Sequence, residues 1–334
     1  MVEGSPDRML TALEQCLRRS LDQLRSGPGA PMVDIISHHL GWSDGGHAGG
    51  KRIRPLLLLQ CCQAAGGSWE RALPAAVAVE WVHNFSLIHD DIQDQSALRR
   101  GRPTVWSKWG LAMALNVGDA LFALSRLATQ ELRREEHAPQ LILEVQARID
   151  RACLDLTQGQ YLDMAFETQT GVQLPEYYQM IEAKTASLIA AACYLGARLA
   201  GASKEIACHY EAYGRDLGLA FQIRDDILGI WGEPAITGKP RGDDLRARKK
   251  TLPVLFALRE SPRFESAWLT PDSQDRQITE LTGLLDACGA YGYAQSEEMR
   301  LTHAAIMALQ KARPQGEAAD WLLSLPAQLL QRDR

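Results

Sequence analysis

The sequence predicts an all-α protein, one bundle of ten or more helices around a central cavity. Three observations predict it. Apolar residues recur at a helical period along nearly the whole chain, strand-like alternation is weak everywhere, and 46% hydrophobic content is ample for a large core. No linker rich in Pro or Ser and no break in composition divides the 334 residues. The chain therefore reads as a single domain over 1–334, with 1–8 a candidate disordered end and no internal repeat.

In chain order, Met9, Leu10, Leu13, Leu17, Leu21 and Leu24 form a stripe that predicts an amphipathic helix over 6–26. Gly27, Pro28 and Gly29 stop it, and a short helix follows over 31–40. Gly45, Gly46, Gly49 and Gly50 form a loop into Lys51-Arg52-Ile53-Arg54, and Pro55 suits the first position of the strongly apolar helix that runs to about 65. A helix over about 70–94 is apolar nearly all round and ends in acids. A basic loop, Leu98 to Thr104, precedes long helices at about 107–135, 138–168, 175–200 and 203–231. Gly238 to Lys250 reads as a polar, basic loop. Helices at about 251–260, 275–288, 290–312 and 316–331 complete the chain.

Composition excludes some functions. A net charge of −5 argues against general nucleic-acid binding. Seven cysteines, an odd number without a CxxC pair, point to reduced thiols and a cytoplasmic location. The N-terminus, MVEGSPDRML, has no apolar h-region, so no signal peptide is expected. No unbroken run of 18 apolar residues exists, so no membrane span is expected.

The main chemical signal is HNFSLIHDDIQD, from His83 to Asp94. Asp90 and Asp94 lie four apart and share a helix face, with Asp91 beside them and His83 two turns up nearly the same face. Carboxylates crowded on an apolar helix repel one another and need a positive partner. A hard divalent cation supplies one. Mg2+ suits, because it uses one or two carboxylates plus substrate phosphate oxygens. A second acidic pair closes another apolar run, FQIRDDILG, where Gln222, Asp225 and Asp226 share a face. One such pair alone reads as a solvated helix end. Two, each late in an apolar helix, are much less readily a coincidence.

Basic residues gather near these acids. Lys51 and Arg54 open a helix after the glycine loop, a suitable cradle for a diphosphate. Arg99 and Arg100 follow Asp94, Lys184-Thr185 interrupts an apolar helix, and Lys239 and Lys249 flank the second acidic pair. Each alone fits a solvated charged face as well, or for Lys184 a side chain snorkelling to the surface.

Taken as an ordered set, the motifs resemble those of the short-chain trans-isoprenyl diphosphate synthases, the polyprenyl synthetase family. They are GGKRIRP, DDIQD with RRGRPT after it, GDAL at Gly118–Leu121, GQYLD at Gly159–Asp163, Lys184-Thr185, FQIRDDILG and TGKP at Thr237–Pro240, covering about residues 45–255. The resemblance implies the isoprenoid synthase fold, a homodimer and three Mg2+ ions per active site. It implies that Asp90 and Asp94 bind two ions with an allylic diphosphate, supported by Asp91. Asp225 would bind the third, with Asp226 and Gln222 beside it. Arg99, Lys184, Lys239 and Lys249 would contact the allylic diphosphate. Lys51, Arg54, His83 and Arg100 would hold the diphosphate of isopentenyl diphosphate. Thr185 and Gln222 would steady a carbocation through their oxygens, and Phe221 would line the cavity.

Such enzymes condense isopentenyl diphosphate head to tail (1′-4) with dimethylallyl, geranyl or farnesyl diphosphate. Ionising the allylic C–O bond leaves a diphosphate anion and a carbocation. Cations on the leaving group stabilise the charge as it develops. A separate basic site holds the second substrate against the carbocation, and a closed apolar cavity keeps water away. Two positions depart from the usual pattern. Gly229 stands where the second motif often carries a last aspartate, and Ala247-Arg248-Lys249 stands where many members read Glu-Gly-Lys.

Product length follows from the same resemblance, in which bulky residues about one turn before the first aspartate stop the tail. Phe85 precedes Asp90 by roughly 7–8 Å along the axis and is followed by the small Ser86. An ideal wheel puts Ser86, not Phe85, nearest the Asp90 face. The pattern resembles synthases that stop at C20 or C15. Geranylgeranyl diphosphate (C20) is the expected product, with farnesyl diphosphate (C15) the alternative and Trp81 or a dimer interface the alternative floor. Two rival classes fit less well. A class I terpene cyclase needs no isopentenyl site, and a non-catalytic synthase subunit usually has degraded aspartate motifs.

Overall fold

The computed structural model describes residues 5–44, 50–234, 240–270 and 275–330, with side chains omitted at 44, 275, 276 and 330. Gly45, Gly46 and Gly49 of the glycine loop and Thr237, Gly238 and Lys239 of the TGKP motif lie outside the described residues, as do residues 1–4. Pro6 already begins a helix, so the expected disordered end does not extend over 6–8. The structure is helical in the order α1 (Pro6–Ser20), α2 (Asp22–Arg25), α3 (Ala30–His39), α4 (Ile53–Ala64), α5 (Leu73–Gln93), α6 (Val105–Trp109), α7 (Leu111–Gln130), α8 (Pro139–Thr168) and α9 (Leu174–Ile181). It continues with α10 (Ser187–Leu199), α11 (Lys204–Trp231), α12 (Asp243–Arg246), α13 (Leu252–Glu260), α14 (Pro262–Leu269), α15 (Asp275–Ala287), α16 (Ala290–Lys311) and α17 (Gly316–Leu330).

The fold groups into two compact units. One comprises Met1–Cys153, Ala191–Glu211 and Lys311–Leu322. The other comprises Leu154–Ala190, Ala212–Gln310 and Leu323–Arg334.

In the first unit α5 packs against α4, α1 and, most extensively, α7. The all-round apolar sequences of α4 and α5 are explained by this: Leu56 to Cys62 and Ala75 to Val82 are buried without interruption. The stripe Met9, Leu13, Leu17 and Leu21 on α1 is fully buried at helical spacing. The predicted single helix over 6–26 breaks at Leu21 into α1 and α2. Pro55 is the third helical residue, not the first, because Ile53 and Arg54 already have helical backbone. The basic loop is a small antiparallel hairpin, Leu98–Arg99 with Arg102–Pro103. Its two turn residues, Arg100 and Gly101, both have positive φ, 52° and 73°, as a tight two-residue hairpin turn requires.

By length and composition Leu111–Arg133 is, among the described residues, a helix long and apolar enough to cross a membrane, with mean hydropathy 1.3. Asn116, Asp119 and Arg126 interrupt it, and one face, with Val117, Leu121 and Leu124, is buried in the first unit.

The second unit has two apolar clusters. Tyr177, Ile181, Ala220, Ile223, Ile227 and Leu252 centre one of them. Ile230, Leu245, Val254, Phe264, Leu281 and Leu285 centre the other. Helix α14 was not legible in the sequence pattern; Ser261 caps it by accepting from Phe264 N–H at 3.2 Å. Between α9 and α10 the chain makes a π-helical turn over Glu182–Ala186, which carries Lys184 and Thr185. Such turns insert one extra residue and often mark functional positions.

Candidate active site

In the first unit, α5 emerges from the core at its acidic end. Asp91 is buried, Asp90 is partly buried, and Asp94 closes the helix by donating its N–H to the Asp90 carbonyl at 2.8 Å. Arg99 Nε donates to Asp91 Oδ1 at 2.8 Å, and its Nη2 lies 3.5 Å from Asp90 Oδ2. Asp91 Oδ2 is buried with no hydrogen-bond partner among the described residues. Burial pushes the Asp91 carboxyl up to about 6, against the pull of Arg99 and with help from Asp90 and Asp94.

A basic cluster lies nearby in the same unit. Arg54 Nη1 and His83 Nε2 are 3.2 Å apart, and the Arg100 guanidinium packs against the backbone at Gly50, next to Lys51. Burial, then Arg54, Arg100 and Arg99, hold the His83 imidazole well below its usual range. Neutral His83 thus accepts from Arg54. Burial and the neighbouring Arg99 and Arg52 lower Arg100 too. Cations pressed together in this way are relieved by an anion. Arg52, absent from the sequence assignment, is the brace of this cluster. Its guanidinium donates to Glu80 Oε1 at 2.7 Å and to Glu14 Oε1 at 2.8 Å. Arg52 and Arg100 both adopt left-handed backbone, at φ 48° and 52°, a strain that tends to persist where surrounding structure enforces it.

The predicted chain-length residues occupy different sides of α5. Phe85 packs against Phe122 of α7, ring centroids 5.6 Å apart, and edge-on to His89. Trp81 is fully buried and donates its indole N–H to Ser20 Oγ of α1 at 3.0 Å. Ser86 Oγ donates to the His83 carbonyl at 2.8 Å.

In the second unit a recess of about 380 Å³ is lined by Asp225, Asp226, Gln222, Lys184, Lys249 and Asp244, among others. Asp226 is buried and locked. Its Oδ2 accepts from Tyr177 Oη at 2.6 Å and Leu252 N–H at 3.0 Å, and its Oδ1 accepts from Gln222 Nε2 at 3.1 Å. Burial lifts its carboxyl to about 6, with those donors pulling the other way. Asp225, by contrast, is exposed. Thr185 Oγ1 donates to Gln222 Oε1 at 2.7 Å, so the Gln222 oxygen assigned to a carbocation already has a protein partner. Lys184 is ion-paired with Asp163, and Arg99 with Asp91, so both cations assigned to diphosphate also hold protein carboxylates. Phe221 is partly buried and is not among the residues lining this recess. Lys249 lies 3.8 Å from Asp244, while Lys250 bonds the Phe166 and Glu167 carbonyls at the end of α8. Gly159 allows α8 to touch the π turn: a Cβ there would lie 2.2 Å from Lys184 N.

The donor set suits a hard cation. Among the described residues no three His, Cys, Asp or Glu side chains form a ready-made metal cage. Each acidic helix end instead offers carboxylate oxygens, with one buried and unpartnered at Asp91. Oxygen donors of this kind are what hard divalent cations take.

Comparison with known proteins decides the family. A family model described as polyprenyl synthetase matches residues 44–282. This chain belongs to the polyprenyl synthetase family. It is accordingly a prenyltransferase of short-chain trans type. It is 41% identical over 305 residues to a (2E,6E)-farnesyl diphosphate synthase of Mycobacterium tuberculosis, covering 87% of this chain and 84% of the relative. It is 40% identical over 279 residues to a geranylgeranyl diphosphate synthase of the same organism, covering 82% and 74%. The fold matches a crystal structure of a polyprenyl synthetase from Streptomyces coelicolor with TM-score 0.87 at 35% identity, covering 97% and 98% of the two chains.

Sequence reasoning missed Asp163, Tyr177, Arg52 and Glu80. Asp163 was visible as the last residue of GQYLD. Tyr177 and Glu80 carried no local signal, because each is defined by a partner distant in sequence.

Proposed function

We propose that the protein condenses isopentenyl diphosphate with dimethylallyl, geranyl or farnesyl diphosphate and releases mainly geranylgeranyl diphosphate. The observation that carries this reading is the cluster of Arg54, His83 and Arg100 beside Lys51. It is an anion site separate in residues from both acidic helix ends, and a cyclase has no use for one. In this reading Asp90, Asp94 and Asp225 hold Mg2+, three ions in all, and these supply electrostatic stabilisation of the departing diphosphate. Arg99, Lys184 and Lys249, with Lys239, bind the allylic diphosphate. Asp91 and Asp163 orient Arg99 and Lys184 for that task. Lys51, Arg54 and Arg100 hold isopentenyl diphosphate, with neutral His83 fixing Arg54. Thr185 and Gln222 present their remaining lone pairs to the carbocation, and Asp226 holds Gln222 in place. Phe85 limits the tail, with Phe122 behind it.

The protein acts as a homodimer in this proposal. Leu111, Leu115, Phe122 and Leu127 of α7 are 38–54% exposed, an apolar face that a second copy would cover. Its seven cysteines are all free, which supports a reducing, cytoplasmic setting. The test is incubation with Mg2+, isopentenyl diphosphate and each allylic diphosphate in turn, followed by separation of the dephosphorylated alcohols. A C20 alcohol from all three starters is expected. A C15 end point keeps the reaction and shortens the cavity. A cyclic hydrocarbon without consumption of isopentenyl diphosphate overturns the reading.

A further inference from the structure

The second acidic helix end lacks its last aspartate, and another residue fills that space. Gly229 lies one turn beyond Asp225 on α11. A Cβ at Gly229 would lie 1.9 Å from Asp244 Oδ2 and 2.5 Å from Asp244 Cγ. The Asp244 carboxylate therefore rests on the bare backbone where a side chain at 229 would begin. The chain places it there in two steps. Gly242, in left-handed backbone at φ 74°, turns into α12, and the fully buried Leu245 anchors that short helix in an apolar cluster. Asp244 is only 13% exposed and lines the recess with Asp225 and Asp226. It also pairs with the half-exposed Lys249 at 3.8 Å. Asp163, Asp225, Asp226, Asp243 and Asp244 line the recess against Lys184, Lys249 and Lys250, so carboxylates outnumber cations there and a further cation relieves their repulsion.

We propose that Asp244 is the third carboxylate of the second acidic cluster, a positioning residue that completes its oxygen set toward Mg2+ and a Mg2+-bound diphosphate. The acid missing from α11 is thus supplied from α12, and glycine at 229 is what leaves room for it. This rests on the prenyltransferase reading above.

The test is calorimetric titration of the full-length protein with inorganic diphosphate in Mg2+. Three proteins are compared: wild type, Asp244→Ala, and the swap Gly229→Asp/Asp244→Ala, each checked for an unchanged metal-free unfolding midpoint. Asp244→Ala is expected to weaken binding roughly tenfold, the lower end for residues that support metal ligands. The swap is expected to recover most of that loss, because it returns a carboxylate from the helix side into vacated space. Equal binding by wild type and Asp244→Ala overturns the inference alone. So does a swap as weak as Asp244→Ala. Absence of Mg2+-dependent diphosphate binding by wild type overturns the prenyltransferase reading first, and this inference with it.

Discussion

Replacing Glu80 with Gln tests how the basic cluster is built. The Arg52 side chain is 4% exposed and that of Glu80 2%, and they meet at 2.7 Å. Glu80 Oε1 also accepts from Asn84 Nδ2 at 2.7 Å, so α5 itself fixes the carboxylate. Gln keeps the size and one acceptor but removes the charge. Breaking a buried ion pair from one side costs about 3–5 kcal/mol, because the remaining charge stays desolvated. Arg52 keeps Glu14 at 2.8 Å, although Glu14 is 33% exposed and its contribution is screened. The expected loss is therefore near the lower figure, about 3 kcal/mol. Glu14→Gln should cost about 1 kcal/mol or less. Urea unfolding followed by circular dichroism reads both. The brace also flanks Lys51 and Arg54, so Glu80→Gln should raise the KM for isopentenyl diphosphate more than the KM for the allylic substrate. A Glu80→Gln loss below 0.5 kcal/mol, with both KM values unchanged, would refute the reasoning.

Three further outcomes are expected. Gly159→Ala puts a methyl 2.2 Å from Lys184 N, so it should destabilise by about 1–3 kcal/mol and lower activity through a displaced Lys184; unfolding and rate measurements check both. Burial and Arg99, Arg100, Arg52 and Arg102 push His39 down to about 3. It stays neutral when folded and protonates near 6.5 when unfolded, so its contribution is present above about 6.5 and is lost as pH falls toward 3, about 1.4 kcal/mol per pH unit at most. His39→Gln should flatten the acid side of the stability profile in that window, as denaturation across pH would show. Phe85→Ala should shift products toward longer alcohols, and an unchanged distribution would place the floor elsewhere.

The helices were legible where a periodic apolar face met core on one side, as on α1, or on every side, as on α4 and α5. The breaks were not. Leu21 ends α1 without Gly or Pro, and α14 is too short and mixed in pattern to stand out. The acidic ends were legible because carboxylates closing an apolar helix are costly without a purpose. In the basic half, Lys51 and Arg54 were legible as an anion cradle at a helix start, and the other cations took roles only through the resemblance. Arg52 sits beside Lys51 and reads the same in sequence, yet its guanidinium is turned inward to Glu80 rather than outward. Tyr177 and Asp244 act on α11 from distant segments, so no local pattern could reveal them. The Gly229 departure became interpretable only once Asp244 was seen to fill its space.

The central claim is that both acidic helix ends serve one condensation. The direct measurement is the steady-state rate of isopentenyl diphosphate incorporation for Asp90→Asn and Asp225→Asn, at saturating substrates and Mg2+. Each single change should lower kcat by roughly 100-fold or more, as the loss of a transition-state charge stabiliser does, with KM for isopentenyl diphosphate little altered. A rate within threefold of wild type for either variant would contradict the account.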